Sequence, residues 1–171
     1  TPPTPPWLAI TPTTVLLGVS GVELSYSPGR IDPANNAWLE SRKPLVGEFL
    51  FNNRKLFVIG NHFNSKSGDS YLFGRVQPPV LVSEVQRIQQ AQVVNAFVDS
   101  ILALDPTALV IAAGDLNDFQ FSNPLLALEG GVLTNLHSLN AVGERYTYIY
   151  DGNSQALDHI LASTQLMDAS P

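Results

Sequence analysis

The ten residues from 109 to 118 read LVIAAGDLND and join a short apolar segment to a polar end. The apolar part, Leu109 to Ala113, predicts a strand that is buried on both faces. Gly114 allows the backbone to turn or to approach a neighbouring segment closely. Asp115 and Asn117 project to the same side if the chain stays extended. Taken by itself, Gly-Asp-x-Asn indicates an Asx turn after a buried strand.

A long helix is predicted immediately before this strand. Residues 83–104 repeat apolar side chains at helical spacing, and Asp105-Pro106 ends the pattern. Ser83 and Gln86 fit a capping box at the helix start. The predicted apolar face of this helix consists of Val85, Ile88, Ala91, Phe97, Val98, Ile101 and Leu102.

Two hairpins are predicted on either side of the helix and the strand. Residues 44–51 and 55–63 are apolar runs on either side of a polar turn, and residues 146–150 and 156–162 flank a turn at 151–154. Shorter elements are predicted at 14–19, at 22–26 and after Asn123-Pro124. Helices and strands are therefore mixed, which predicts an α+β or layered α/β fold with one long crossover helix.

The composition is that of a globular domain. Of 171 residues, 44% are hydrophobic and 14% are charged, the formal net charge is −6, and cysteine is absent. Disulfides and thiolate metal sites are thereby excluded. An acidic chain does not grip nucleic acid by bulk electrostatics, so contacts to a phosphate must be local or use a bound cation. Residues 1–6 (TPPTPP) predict a Pro-rich linker or cut end, and residues 7–171 are predicted to be one domain portion.

Two further polar clusters stand at predicted strands. Asn61-His62-Phe63-Asn64 follows one apolar strand, and Asp158-His159 lies inside another. Neighbouring residues of a strand face opposite sides, so Asp158 and His159 are predicted to point apart. Taken singly, each histidine is better explained as a hydrogen-bonded structural residue, and His137, with no carboxylate near in sequence, has only that explanation.

Several other catalytic patterns are missing from the sequence. It contains no P-loop, no nucleophile elbow and no zinc-type spacing of His and Cys. The candidate metal ligands are carboxylates, which favour Mg²⁺, Mn²⁺ or Ca²⁺ over zinc.

Taken together and in this order, the three polar clusters resemble the endonuclease/exonuclease/phosphatase family of metal-dependent phosphodiesterases. The resemblance runs from Ser41 to Ala162. The segments 61–66 (NHFNSK) and 145–150 (RYTYIY) are similar to a bacterial extracellular nuclease branch, and residues 41–46 (SRKPLV) resemble the Arg-containing entry to a central strand.

The resemblance implies a role for each matching residue. His159 is expected to handle the proton of the attacking water or to stabilise the pentacovalent phosphate, and Asp115 to position or activate that water. Asn117 and His62 are expected to contact the scissile phosphate. Asp158 is expected to bind the metal ion, directly or through water. Three further residues are expected to bind substrate: Arg42, Asn64 and Lys66.

The family fold is a four-layer α/β/β/α sandwich, and the chain matches its C-terminal half. The Asn and the metal-binding Glu that the N-terminal half supplies have no counterpart in context, since neither Glu23 nor Glu40 fits. Asn135 stands where many relatives have an aspartate that orients the catalytic histidine, and a neutral amide raises the basicity of that histidine less. We expect an apolar sheet face that the missing half or self-association covers, and weak or no catalysis by the isolated chain.

Three functions remain open at this point. The leading one is a divalent-metal-dependent nuclease acting on DNA or RNA, exported by a bacterium to the periplasm, the cell surface or the medium, without membrane attachment. A phosphatase or lipid phosphodiesterase would use the same catalytic residues. A non-catalytic binding or structural module is the third, and metal binding distinguishes it from the other two.

Overall fold

The computed structural model describes residues 11–168, so the linker predicted at residues 1–6 lies outside the described part of the chain. The strands are β1 (Pro12–Thr13), β2 (Val15–Gly18), β3 (Gly21–Leu24), β4 (Gly29–Ile31), β5 (Leu45–Phe51), β6 (Arg54–His62), β7 (Leu109–Asp115), β8 (Leu133–Asn135), β9 (Tyr148–Tyr150), β10 (Asn153–Gln155) and β11 (Asp158–Ser163). The helices are α1 (Glu84–Leu104), α2 (Asn123–Glu129) and α3 (Thr164–Met167).

Seven strands form one mixed sheet in the order β1-β4-β5-β6-β7-β11-β8. β5 and β6 are the predicted hairpin and pair antiparallel from Leu45–Gly60 to Phe51–Arg54. β6 and β7 pair in parallel, and α1 connects them, so the predicted crossover helix is confirmed. β2–β3 and β9–β10 form two separate two-stranded ribbons. The mixed α+β class is therefore confirmed.

The second predicted hairpin was paired wrongly. β9 pairs with β10, not with the strand at 156–162, and Tyr150 lies opposite Asn153. Asp151 and Gly152 both have positive φ angles, 47° and 78°, so the turn needs only these two residues. The later segment becomes β11, which joins the main sheet between β7 and β8.

Helix α1 covers one face of the main sheet, with a burial pattern that differs from the predicted one. Its buried positions are Arg87, Gln90, Ala91, Val94, Val98 and Ile101, whereas the predicted core residue Val85 is exposed. The predicted capping box is also wrong, because the Ser83 side chain makes no cap hydrogen bond and contacts Asp69 instead. The long polar side chains of Arg87 and Gln90 thus lie where α1 meets the sheet and its loops.

The opposite face of the main sheet carries exposed apolar side chains. Cross-strand partners project to the same face, and the registers place Leu45, Gly60, Ala113 and Ile160 in one row across four strands. Leu45, Phe49 and Ile160 on this face are all exposed. We call this surface, defined by Leu45, Phe49, Val58, Ile111, Ala113 and Ile160, the bare sheet face.

Within residues 11–168, no helix has the length and apolar character needed to cross a membrane.

Candidate functional site

Three predicted site residues lie side by side where β6 and β7 end and β11 begins. His62 is the register partner of Asp115, and Asp115 is the register partner of Asp158. The three side chains therefore project to the same face of the sheet, at the polar end of the bare sheet face. His62 Nε2 lies 3.7 Å from Asp115 Oδ2. The strand pairing thus places His62, Asp115 and Asp158 in one row.

The loop after β7 fixes the orientation of Asp115. The backbone N–H of Asn117 donates to Asp115 Oδ1 at 2.9 Å, and Asn117 Nδ2 donates to the Phe63 carbonyl at 3.0 Å. Asn117 adopts a left-handed backbone with φ of 51°, which asparagine tolerates better than most residues. The Asx turn predicted from the sequence is present. The same Asp115 side chain that forms the turn also belongs to the row with His62 and Asp158.

Gly114 is required by its surroundings. Its φ is 140°, and a Cβ atom built there would lie 2.0 Å from the carbonyl oxygen of Asn61 on the neighbouring strand. Only glycine combines this backbone with such close contact. The result is that β6 and β7 stay paired up to His62 and Asp115.

The carboxylates of Asp115 and Asp158 lie directly opposite each other on antiparallel strands. Like charges in this position repel, so a cation bound near both would stabilise the pair. Carboxylates are the ligands that Mg²⁺, Mn²⁺ and Ca²⁺ prefer. In the part of the chain that the structure describes, however, no group of three or more His, Asp or Glu side chains is placed to hold a metal ion. The residues present fit part of a divalent-cation site.

His159 lies on the opposite face from this row, as the alternation along β11 predicted. It pairs with Gly114 and is only 2% exposed, whereas Asp158 is exposed. Both ring nitrogens are occupied: Nδ1 lies 3.1 Å from Asn135 Nδ2, and Nε2 lies 2.9 Å from the Asp118 carbonyl oxygen. The structure therefore does not bring His159 into the same row as His62, Asp115 and Asp158.

The partners of His159 determine its tautomer. Asn135 Oδ1 accepts from the His137 N–H at 3.2 Å, so the Asn135 amide must present its N–H to His159 Nδ1. Nδ1 then accepts, and Nε2 carries the proton that it donates to the Asp118 carbonyl. An Nε2–H group can donate to a phosphate oxygen but cannot take a proton from water. Of the two expected roles of His159, this arrangement favours phosphate stabilisation.

Burial lowers the pKa of His159 below its ordinary value. The hydrogen bond to the Asp118 carbonyl and the charge of Asp158 act in the opposite direction, and the neighbouring His137 ring, 5.0 Å away, lowers it further. His159 is consequently neutral at physiological pH.

The three predicted substrate-binding residues differ in how they are held. Arg42 is exposed and precedes β5, at the same end of the sheet as His62. The Asn64 backbone N–H donates to the buried Gln90 side chain at 2.8 Å. Lys66 Nζ lies 3.1 Å from Asp118 Oδ1 and 3.9 Å from Asp69 Oδ2, so its charge is already paired.

A buried ion-pair cluster behind the site was not predicted from the sequence. Arg87 is fully buried; its Nε donates to Asp118 Oδ2 at 2.8 Å and its Nη2 to Asp69 Oδ2 at 3.2 Å. Ser83 and the Ser65 carbonyl accept from its Nη1. The spacing 87, 91, 94, 98, 101 of the buried α1 positions is the one sequence signal that would have included Arg87 in the buried face.

Comparison with known proteins gives matches in structure only. No protein-family model matches the chain, and no curated protein matches it in sequence. The truncated TDP2 of Caenorhabditis elegans matches with a TM-score of 0.56 and 17% identity, over 88% of this chain and 53% of that one. Sphingomyelinase C of Streptomyces griseocarneus matches with a TM-score of 0.51 and 17% identity, over 73% and 43%. The catalytic domain of human nocturnin, solved with bound sulfate, matches with a TM-score of 0.51 and 16% identity, over 71% and 41%.

These matches agree with the fold that the sequence resemblance implied. The chain has part of the mixed α+β fold of these three structures. It spans about half the length of the solved structures it matches. At this level of identity the likeness concerns the fold, and chemistry must be argued from the residues of this chain.

Proposed function

We propose that this chain is the C-terminal half of a divalent-metal-dependent phosphodiester hydrolase, most similar to the bacterial extracellular nucleases, and that it acts on DNA or RNA. The observation that carries the proposal is the row formed by His62, Asp115 and Asp158 at one end of the sheet. The carboxylates of Asp115 and Asp158 directly opposite each other repel, and a bound cation would relieve that repulsion.

Each residue of the row has a task in phosphodiester hydrolysis. Asp115, fixed by the Asn117 N–H, orients the attacking water and accepts its proton. His62 donates a hydrogen bond to a non-bridging phosphate oxygen. Asp158 and Asp115 would hold the divalent cation, which would neutralise phosphate charge. His159 lies on the opposite face of the sheet from the row, and its Nε2–H would stabilise charge on the phosphate only after a rearrangement that displaces the Asp118 carbonyl.

The facing carboxylates of Asp115 and Asp158 and the bare sheet face support the half-domain assignment. The matching part of this chain also covers 41–53% of the three compared structures. We propose that a second sheet, from the N-terminal half of the same fold, covers the bare sheet face and supplies the remaining metal ligand. Self-association through that face is the other arrangement that would bury it.

A nucleic acid is favoured over a lipid as substrate by the exposed Arg42 at the same end of the sheet as the row, which can contact a backbone phosphate. A phosphatase or lipid phosphodiesterase remains the alternative within the same chemistry. Export to the periplasm, the cell surface or the medium stays a prediction from composition and from the resemblance.

The first experiment measures cleavage of supercoiled plasmid with Mg²⁺, Mn²⁺ or Ca²⁺ and with EDTA, by the chain together with any fragment that co-purifies with it, because the isolated chain is expected to be weakly active or inactive. Asp115→Asn should abolish cleavage, because the carboxylate that holds both water and cation is lost. Asp99→Asn, an exposed change on α1, is the matched control and should keep wild-type activity. If Asp115→Asn cleaves as well as an active wild type, the row is not the active site.

The second experiment tests the half-domain assignment. The intact mass and chain content of the purified native protein are measured first. The plasmid-cleaving activity of the chain alone is then compared with that of the chain mixed with any fragment that co-purifies with it. A co-purifying fragment that restores cleavage supports the proposal. A chain that remains inert with every cation and binds none of them, with or without a companion, makes the non-catalytic binding module the correct function.

A further inference from the structure

Three segments form a groove beside the candidate site. They are the loop 71–73, the loop 119–121 and the β9–β10 ribbon with Arg145 before it. We call this groove, defined by Tyr71, Phe73, Phe119, Phe121, Arg145 and Tyr150, the aromatic groove. None of these residues has a role in the hydrolysis proposed above.

The rings of the groove are unusually exposed. Phe73 is 87% exposed, Tyr71 79% and Phe121 66%, and Tyr150 is also open to solvent. Two pairs of rings are nearly parallel: Phe119 and Phe121 at 5.5 Å between centroids, and the ribbon residue Tyr148 with Tyr150 at 6.3 Å. Exposed aromatic surface of this extent is costly in water and marks an interaction site.

Polar groups of the groove point to a nucleic acid rather than to a membrane surface. Gln120, Asn153 and Gln155 line it together with the rings, and their amides can bond to base edges. Arg145 lines the groove and is its one basic side chain among the lining residues, and two of its N–H groups donate to the Asn140 and Ser138 carbonyls. Asp151 is the acidic side chain among the lining residues. Ring stacking and amide contacts, rather than a basic surface, therefore carry the expected binding.

The groove adjoins the candidate site along the chain. Phe119 directly follows Asp118, whose carbonyl accepts from His159, and the lining residue Ala156 stands two positions before Asp158. A bound strand with its scissile phosphate at the row would place neighbouring nucleotides near the rings if its path follows these two segments.

We infer that the aromatic groove binds single-stranded nucleic acid by stacking unpaired bases on its rings next to the scissile phosphate, an inference that rests on the proposed function. Bases in a duplex stack on each other and leave no face for a protein ring, so the groove selects single-stranded or unwound substrates. Stacking also suits a protein with a net charge of −6, because it needs no large basic surface.

The test is a binding measurement in EDTA, which does not depend on catalysis. Fluorescence anisotropy is recorded with a labelled dT12 strand, with the same strand in a duplex, and with an abasic strand of equal length. We expect dT12 to bind tightest. Phe73→Ala and Tyr150→Ala should each weaken dT12 binding by about 5- to 100-fold, the range typical of one lost base–ring stack. Tyr26→Ala, an exposed tyrosine outside the groove, is the matched control and should bind as wild type.

The possible outcomes separate this inference from the proposed function. Equal binding of the abasic strand and dT12, or no effect of Phe73→Ala and Tyr150→Ala, overturns the inference even if the protein cleaves plasmid. Ring-dependent dT12 binding without cleavage in the presence of any cation, both for the chain alone and for the chain with a companion fragment, supports the inference and overturns the proposed hydrolase. If the two ring variants instead lose binding to vesicles of phosphatidylcholine and sphingomyelin while dT12 binding is unchanged, the groove is a lipid-binding surface and the inference is wrong.

Discussion

The ion-pair cluster around Arg87 gives the sharpest stability prediction. Arg87→Met keeps the length and apolar stem of the side chain but removes the charge between Asp69 and Asp118. Both carboxylates are then left nearly buried with fewer partners, since their side chains are 3% and 2% exposed. Breaking a buried ion pair in this way typically costs about 3–5 kcal/mol.

The remaining partners place the expected loss at the lower end of that range. Lys66 still lies 3.1 Å from Asp118, and Ser83 still donates to Asp69 through its N–H at 2.8 Å and its hydroxyl at 2.7 Å. We therefore expect Arg87→Met to lower the free energy of unfolding by about 3 kcal/mol, which for a chain of this size lowers the melting temperature by about 6–12 °C.

Urea denaturation followed by circular dichroism measures this change. Arg54→Met, at an exposed arginine that bonds the Thr107 carbonyl, is the matched control and should change stability by no more than about 0.5 kcal/mol. Adding Asp118→Asn to Arg87→Met should recover part of the loss, because the uncompensated charge is removed. A loss below about 1 kcal/mol for Arg87→Met, or a further loss in the double variant, would refute the ion-pair explanation.

Three other predictions follow from the site. Asn135→Asp should add a proton on His159 Nδ1, because a carboxylate can only accept there, while the Asp118 carbonyl keeps the proton on Nε2, so the ring becomes cationic and its pKa rises; ¹⁵N chemical shifts of both ring nitrogens measured against pH report the change. The pKa of His159 is lowered in the folded state. The contribution of neutral His159 to stability is therefore complete above its unfolded pKa of about 6.5 and is lost as pH falls through the folded pKa. Stability should drop on acidification, and His159→Asn should flatten that drop. Gly114→Ala should cost at least about 1–3 kcal/mol in thermal unfolding, since its φ is 140° and the added methyl meets Asn61, whereas Gly143→Ala, which meets no atom within 4 Å, should be close to neutral.

The regular parts of the fold could be predicted from the sequence because local pattern determines them. The β5–β6 hairpin, α1 and β7 each combine an apolar segment of suitable length with clear turn or proline signals. The pairing of β11 could not be predicted in this way, because its partners β7 and β8 are set by the three-dimensional order of strands. The turn at Asp151-Gly152 does carry a local signal, and interpreting it as a two-residue turn would have ended the ribbon at Gln155.

The site was predictable in its residues but not in its arrangement. His62, Asp115 and Asp158 were chosen from strand ends and from the resemblance, and register places them together. The orientation of His159 depends on which oxygen and which nitrogen of Asn135 face it, and that follows from the His137 N–H, a contact without any sequence pattern. Arg87 was missed because a polar residue at a buried helix position becomes visible only when its two carboxylate partners are known.

Asp118 links His159 to the buried ion-pair cluster around Arg87. Its carbonyl accepts the His159 Nε2–H, while its carboxylate is fixed by Arg87 and Lys66. In the proposed mechanism a phosphate would meet the His159 Nε2–H only after that carbonyl moves, and the ion-pair cluster would contribute to the cost of that movement. Asp115 ends β7, and Asn117 and Asp118 follow shortly after it, so such a shift would also move the Asp115 carboxylate, to which we assign the attacking water. The contacts of Asp118 with Arg87, Lys66 and His159 therefore stabilise this segment and, in the proposed mechanism, also determine how easily His159 is released.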